Sequence, residues 1–173
     1  MWKGRFSGET ADEVLKFTHS LDLDWRLAKC DIIGSIAHAR MLGRVGLLQD
    51  DECRHLEDGL RQVAREVESG DFHPRIELED VHMNIEARLT EILGPLGAKL
   101  HMGRSRNDQV ATTLRLYLKE TLVRMGGRLA CLQDALLDLS ARDEKKLVPG
   151  YTHLQQAQPI SMGHYWLAHF QAF

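Results

Sequence analysis

From Val110 onward, the side chains Val110, Leu114, Tyr117, Thr121, Met125, Leu129, Leu132, Leu136 and Leu139 return at steps of four and three. That spacing is a heptad-like seam on one helix, about thirty residues or roughly 45 Å long at 1.5 Å per residue. A helix of that length cannot bury its seam against a small domain. It belongs in a bundle, and the length of the seam points to one shared between chains. Asn107 or Asp108 is placed to cap its start.

The rest of the sequence is also helical in period. Thr10 to Ser20 and Leu27 to Leu42 are predicted helices. Asp50 to Ser69 is the clearest amphipathic one, with Cys53, Leu56, Leu60, Val63 and Val67 on one face and Gly70 to end it. Asp71-Phe72-His73-Pro74 reads as a loop, since the residue before proline avoids the helical region. Leu78 to Leu93 resumes the period, and Gly94-Pro95 stops it. After Arg142-Asp143-Glu144-Lys145-Lys146, a solvated turn, a new apolar segment opens near Met162 and runs to Phe173, as though the chain paused inside a helix. No repeat and no alternating strand pattern is visible. The fold class expected is all-α: a small helical domain over residues 1–103, then the opening of a long helix-bundle domain over 104–173.

Composition narrows the function. Lys and Arg number 22 against 25 Asp and Glu, a net charge of −3, so no general field grips nucleic acid or an acidic membrane. Charged side chains interrupt every leucine-rich stretch short of the 18 or so apolar residues that a membrane span needs. The start, Met1-Trp2-Lys3-Gly4-Arg5-Phe6, has no apolar core for a signal peptide. These features predict a soluble, cytoplasmic chain without membrane or nucleic-acid partners. Cys30, Cys53 and Cys131 are odd in number and far apart with no Cys-x-x-Cys, a pattern unlike a disulfide framework, and the nine His are scattered without ligand spacing, so no metal site is expected.

Three segments could carry chemistry. Gly103-Arg104-Ser105-Arg106-Asn107-Asp108-Gln109 brings two guanidinium groups, a hydroxyl and an amide to the start of the long helix. The first N–H groups of a helix lack internal partners and its dipole favours an anion, while arginine binds a carboxylate through paired hydrogen bonds. The plainer reading is a helix cap with surface arginines. Tyr151-Thr152-His153-Leu154-Gln155 follows Pro149-Gly150 and is expected at a helix start. His153 could exchange protons near neutral pH and Thr152 could hold a carboxylate; an ordinary surface histidine is the alternative. In Glu79-Asp80-Val81-His82-Met83-Asn84-Ile85-Glu86, His82 and Glu86 are four apart, which suits a solvated, ion-paired helix face as well as a site. Ser20 is by default a helix-end hydroxyl. No nucleophile elbow, phosphate-binding loop or dinucleotide glycine pattern is present.

Taken in order, these segments resemble the amino-terminal part of the argininosuccinate lyase family. Trp2-Lys3-Gly4-Arg5-Phe6 is similar to its Trp-Gly-Gly-Arg-Phe opening. Leu23-Asp24 through Asp31-Ile32, Ser35 and Ala37-His38-Ala39 resembles its first long helix, and Glu79 to His82 its Glu-Asp-(Val/Ile)-His. Gly103 to Thr112 matches its Gly-Arg-Ser-Arg-Asn-Asp-Gln-Val-Ala-Thr block, and Gly150 to Pro159 its Gly-Tyr-Thr-His-Leu-Gln-x-Ala-Gln-Pro block. The last two are long and specific. They separate this branch from the fumarase, aspartase and adenylosuccinate lyase relatives.

The resemblance implies a fumarase/aspartase-like bundle and a reversible β-elimination of argininosuccinate to arginine and fumarate in arginine biosynthesis, with no cofactor or metal. Ser20, Asn107 and Thr152 would contact substrate; Ser105, Arg106, His82 and Gln155 would line the same site; His153 would join the proton transfers. The family's homotetramer builds each active site from three subunits. Its third block, Gly-Ser-Ser-x-Met-Pro-x-Lys-x-Asn, which carries the serine base, is not in this sequence, so the chain by itself is expected to be inactive. Met102 stands where the family commonly has Thr, Lys3 where Gly is usual, and Thr18-His19 where an Asn is typical before Ser20. The alternative is a non-catalytic, crystallin-like helical protein of the same fold.

Overall fold

A computed structural model of the chain describes residues 11–173; the opening motif from Trp2 to Phe6 lies outside them. The described residues fall into two units, one extending to Tyr117 and the other spanning Leu118–Phe173. The first contains α1 (Asp12–Thr18), α2 (Leu21–Asp24), α3 (Ala28–Arg44), α4 (Asp50–Ser69), α5 (Val81–Leu93) and α6 (Pro95–Ala98). α7 (Arg106–Asp143) begins in the first unit and continues into the second, which adds β1 (Leu147–Thr152), β2 (Gln155–Ser161) and α8 (Met162–Ala172).

The core of the first unit is the meeting of three amphipathic helices. Ile32, Ala39 and Leu42 of α3, Leu56, Leu60 and Val63 of α4, and Val81, Ile85 and Leu89 of α5 are enclosed together with Leu48 and Leu100. Each enclosed Leu or Ile contributes about 1.5–3 kcal/mol relative to exposure. α4 starts and stops where its sequence requires. Gln49 and Glu52 form a reciprocal capping box, and Gly70 takes the left-handed conformation at φ 82°. Close approach also fixes the short α6, which starts at Pro95, where the sequence suggested only a stop. A Cβ on Gly97 would lie 2.7 Å from Thr90 Cα and 2.9 Å from the Leu89 carbonyl oxygen, so only glycine lets α6 fold against the end of α5.

In the second unit, the end of α7 is tied to α8. Asp143 is 3% exposed and accepts hydrogen bonds from Arg142 Nε (2.9 Å), Lys146 Nζ (2.7 Å) and Trp166 Nε1 (3.2 Å). The Arg142 and Lys146 bonds, led by Arg142, hold its carboxyl well below the usual carboxylate range against the effect of burial. Ser140 Oγ donates to the Gly163 carbonyl at 3.0 Å, and a Cβ on Gly163 would sit 2.8 Å from the Ser140 carbonyl oxygen. Most of the predicted seam is bare within this chain: Val110, Leu114, Met125, Leu129 and Leu132 are exposed, as are Leu118 and Leu122 beside them, whereas Leu136 is buried.

One element differs in kind from the sequence reading. Residues 147–161 form an antiparallel hairpin, not the approach to a helix. Its pairs run from Leu147 with Ser161 to Thr152 with Gln155, with an irregularity between Pro149 and Tyr151. There Gly150 passes so near Gln158 that a Cβ would be 2.9 Å from its carbonyl oxygen. The two-residue loop is His153-Leu154, with φ of 50° and 61°, the positive pair that a type I′ turn demands. Helix nonetheless dominates, and the all-α class stands.

Candidate functional site

The start of α7 is organised by Ser105. Its Oγ accepts the Asn107 N–H at 3.2 Å and its carbonyl accepts the Gln109 N–H at 3.2 Å, so Ser105 is the cap, displacing Asn107 and Asp108 from that role. A hydroxyl that accepts in a cap keeps its own proton to donate. Ser105 and Asn107 are exposed, and the Asn107 amide makes no side-chain hydrogen bond among the described residues. Arg106 is held differently. Its guanidinium donates to Gln109 Oε1, meets Glu86 Oε2 at 3.3 Å and approaches Asp80 Oδ2 at 3.8 Å.

Asp80 connects this helix start to Ser20. Its Oδ1 accepts the Met83 N–H at 2.6 Å and caps α5. Just before it, Glu79 has φ 68° and ψ −54°, and the Asp80 N–H donates to the Leu78 carbonyl at 2.8 Å, closing a three-residue γ-turn of the rare, strained hand. The Glu79 carbonyl then accepts the Ser20 N–H at 2.9 Å. Ser20 Oγ donates to Asp24 Oδ2 at 2.6 Å, while Asp24 Oδ1 accepts the Val81 N–H at 3.2 Å. Buried Asn84 supports the turn from below, donating to the Arg75 and Asp80 carbonyls at 3.0 and 2.9 Å and accepting the Arg75 N–H at 2.7 Å.

Behind this surface is an enclosed polar cluster. Asp31, 1% exposed, accepts at Oδ1 from His82 Nδ1 at 2.8 Å, Gln109 Nε2 at 2.7 Å and Thr113 Oγ1 at 3.4 Å. Arg104 donates to Ser35 Oγ at 3.1 Å, and another of its guanidinium nitrogens lies 3.9 Å from Asp31 Oδ1. Burial pushes the Asp31 carboxyl up, but the hydrogen bonds from His82 and Gln109 and the positive charge of Arg104 together hold it below its ordinary value. His82 is thus a buried partner of Asp31, not the exposed partner of Glu86 that a spacing of four suggests. Glu86 pairs instead with Arg106 and with His101 Nδ1 at 3.3 Å. His38 Nε2 donates to the Met102 carbonyl at 3.0 Å, and Met102 packs on the core beside it.

The first unit therefore gathers Ser20, His82, Ser105 and Arg106 into one network, with Asn107 standing at its edge on α7. Thr152, His153 and Gln155 lie in the second unit, exposed at the hairpin tip and making no side-chain hydrogen bond among the described residues. Sequence reasoning did not single out Asp24, Asp31, Asp80, Asn84 or Gln109. Asp80 carried a usable signal, being an Asp three residues before a backbone N–H at the start of an apolar period; the others are joined by contacts between distant segments. Among the described residues, no group of three or more His, Cys, Asp or Glu is arranged to hold a metal ion, and no helix is long and apolar enough to cross a membrane.

Comparison with known proteins places the whole chain in a family. Argininosuccinate lyase from Psychrobacter cryohalolentis is 53% identical over 99% of this chain, and that from Pseudomonas aeruginosa is 51% identical over 98%. In both cases the match is to the amino-terminal portion, and the chain spans 37% of the relative's length. Among solved structures, an EDDS lyase variant with bound fumarate superposes with a TM-score of 0.73 at 27% identity, covering 98% of this chain and 34% of that one. The family profile described as Lyase matches residues 4–173. With that match running through both the α7 start and the hairpin, the chain belongs to the lyase family.

Proposed function

We propose that the chain is the amino-terminal part of an argininosuccinate lyase, a carbon–nitrogen lyase that eliminates fumarate from argininosuccinate and leaves arginine. The observation that carries this reading is the α7 start. There Ser105 and Asn107 keep donors free at a helix N-terminus while Glu86, Gln109 and Asp80 hold Arg106 beside them. Such a corner suits a dicarboxylate. In this reading Ser20, Asn107 and Thr152 contact substrate, Ser105, Arg106, His82 and Gln155 line the site, and His153 takes part in proton transfer. Arg106 exchanges part of its hold on Glu86 for a substrate carboxylate. His82 has only Nε2 left to offer, since Nδ1 is engaged by Asp31.

The same reading includes a cytoplasmic homotetramer, assembled through the bare face of α7, in which hairpin and helix start complete sites with segments of other subunits. It also keeps the division into a helical domain over 1–103 and the opening of the bundle over 104–173. The test is a chimera in which residues 1–173 replace the matching part of the Pseudomonas aeruginosa relative, assayed by the ultraviolet absorbance of fumarate. The chimera turns over argininosuccinate, and Asn107→Ala lowers kcat by about 10²–10³, the scale of one lost pre-organised donor. His153→Asn lowers kcat strongly with the tetramer intact. A tetrameric chimera that releases no fumarate overturns the assignment; collapse of the His153→Asn tetramer makes that residue structural.

A further inference from the structure

Among the described residues of the first unit, Asp31 is the buried carboxylate that no substrate-facing role uses, and the hydrogen-bond roles around it follow from its chemistry. An ionised carboxylate only accepts, so all three groups that meet Oδ1 must donate. For His82 this places the proton on Nδ1. For Gln109 it turns the amide so that Nε2 faces Asp31 and Oε1 faces away, toward Arg106, whose guanidinium only donates. The roles agree along the whole chain from Asp31 through Gln109 to Arg106. Reversing the Gln109 amide would set its oxygen against Asp31 and its NH2 against Arg106, breaking both bonds at once.

His82 has a second face. Among the described residues, the fully enclosed side-chain N and O atoms lacking a hydrogen bond are His19 Nδ1 and Asp31 Oδ2. His82 Nε2 is not one of them and makes no hydrogen bond there either, so it keeps contact with solvent although the residue is 3% exposed. We propose that Asp31 is a positioning residue: it fixes neutral His82 as the Nδ1–H tautomer, with the Nε2 lone pair turned outward, and through the Gln109 amide it aims Arg106. Resting on the lyase reading above, His82 then meets the ligand as an acceptor, suited to an amine or guanidinium N–H. The carboxylates are left to Arg106, Asn107 and Ser105. Thr113 and Arg104 complete the pocket, Arg104 placing a balancing positive charge 3.9 Å from Asp31.

The test reads the tautomer directly, in the 173-residue chain labelled with ¹⁵N at histidine and held at alkaline pH. Two-bond nitrogen–proton correlations distinguish the protonated ring nitrogen from the bare one, and His82→Gln assigns the signals. In the unaltered chain His82 carries its proton on Nδ1; a proton on Nε2 overturns the proposal. In Asp31→Asn the amide oxygen still accepts but without charge, so the Nδ1–H form persists and its proton resonance moves upfield. An unchanged resonance means that Asp31 is not the acceptor. In Asp31→Leu, provided that amide dispersion shows a folded chain, the proton moves to Nε2; its retention on Nδ1 also overturns the proposal. If the Leu variant does not fold, the first two spectra decide. None of these spectra needs substrate, so a silent chimera in the fumarate assay would sink the lyase assignment and leave this result standing, and the reverse holds equally.

Discussion

Asp31 shows how much a single side chain can determine and how little of that its sequence position reveals. It lies within the stretch that resembles the family's first helix, yet its partners His82, Gln109 and Thr113 are 51, 78 and 82 residues away, beyond any spacing rule. The same blindness explains His82: the period of α5 placed it beside Glu86, and only the packing of α3 on α5 decides that it turns inward. Ser105 was legible as part of a polar helix start, but which residue caps depended on backbone geometry. Because Asp31 is held below its ordinary value, its charged form stabilises the fold. Its contribution is complete above its unfolded pKa of about 3.9 and is lost as pH falls through that value toward the folded one. Asp31→Asn therefore lowers the urea midpoint near neutral pH, and the gap from the unaltered chain narrows below about pH 4. Urea titrations followed by circular dichroism at several pH values check this; a gap that stays constant down to pH 2 would show that ionised Asp31 adds nothing.

Among elements, α4 was fully legible. Its apolar face and terminal glycine predicted Asp50 to Ser69, and those are its bounds. The hairpin was not, for equally physical reasons. Most of its residues are exposed and none is buried, so no strict alternation of apolar and polar side chains marks them, and its loop lacks the Asn-Gly signature. His153 and Leu154 instead occupy left-handed conformations that side chains with a Cβ disfavour by about 1–2 kcal/mol each. Leu154 is 95% exposed, so no packing within the chain offsets that strain. Leu154→Gly is expected to stabilise the second unit by about 1 kcal/mol, measured as a rise in its unfolding midpoint. A fall would mean that the leucine side chain makes contacts that outweigh its backbone strain.

For the molecule as a whole, the sequence predicted a seam too long for its own domain, and the structure leaves most of that seam in water. Leu118, Leu122, Met125, Leu129 and Leu132 lie exposed on the part of α7 in the second unit. At about 25 cal/mol per Å² of apolar area, covering several such side chains gains several kcal/mol. That is comparable to the stability of an entire domain. Light scattering is expected to show a mass above 19.7 kDa that grows with concentration. Glu replacing both Leu122 and Leu129 should return the chain to monomer; a monomer at every concentration without these changes would refute association through α7. The turn at Glu79 has a consequence on another timescale. Its unfavourable backbone conformation is held by the Ser20 N–H on one side and the Asp80 N–H on the other. Release of either bond lets the peptide relax to a commoner shape and frees the second. These two amides, far apart in sequence, should therefore trade their protons for deuterium together, in a single local opening that leaves the amides in the middle of α4 untouched.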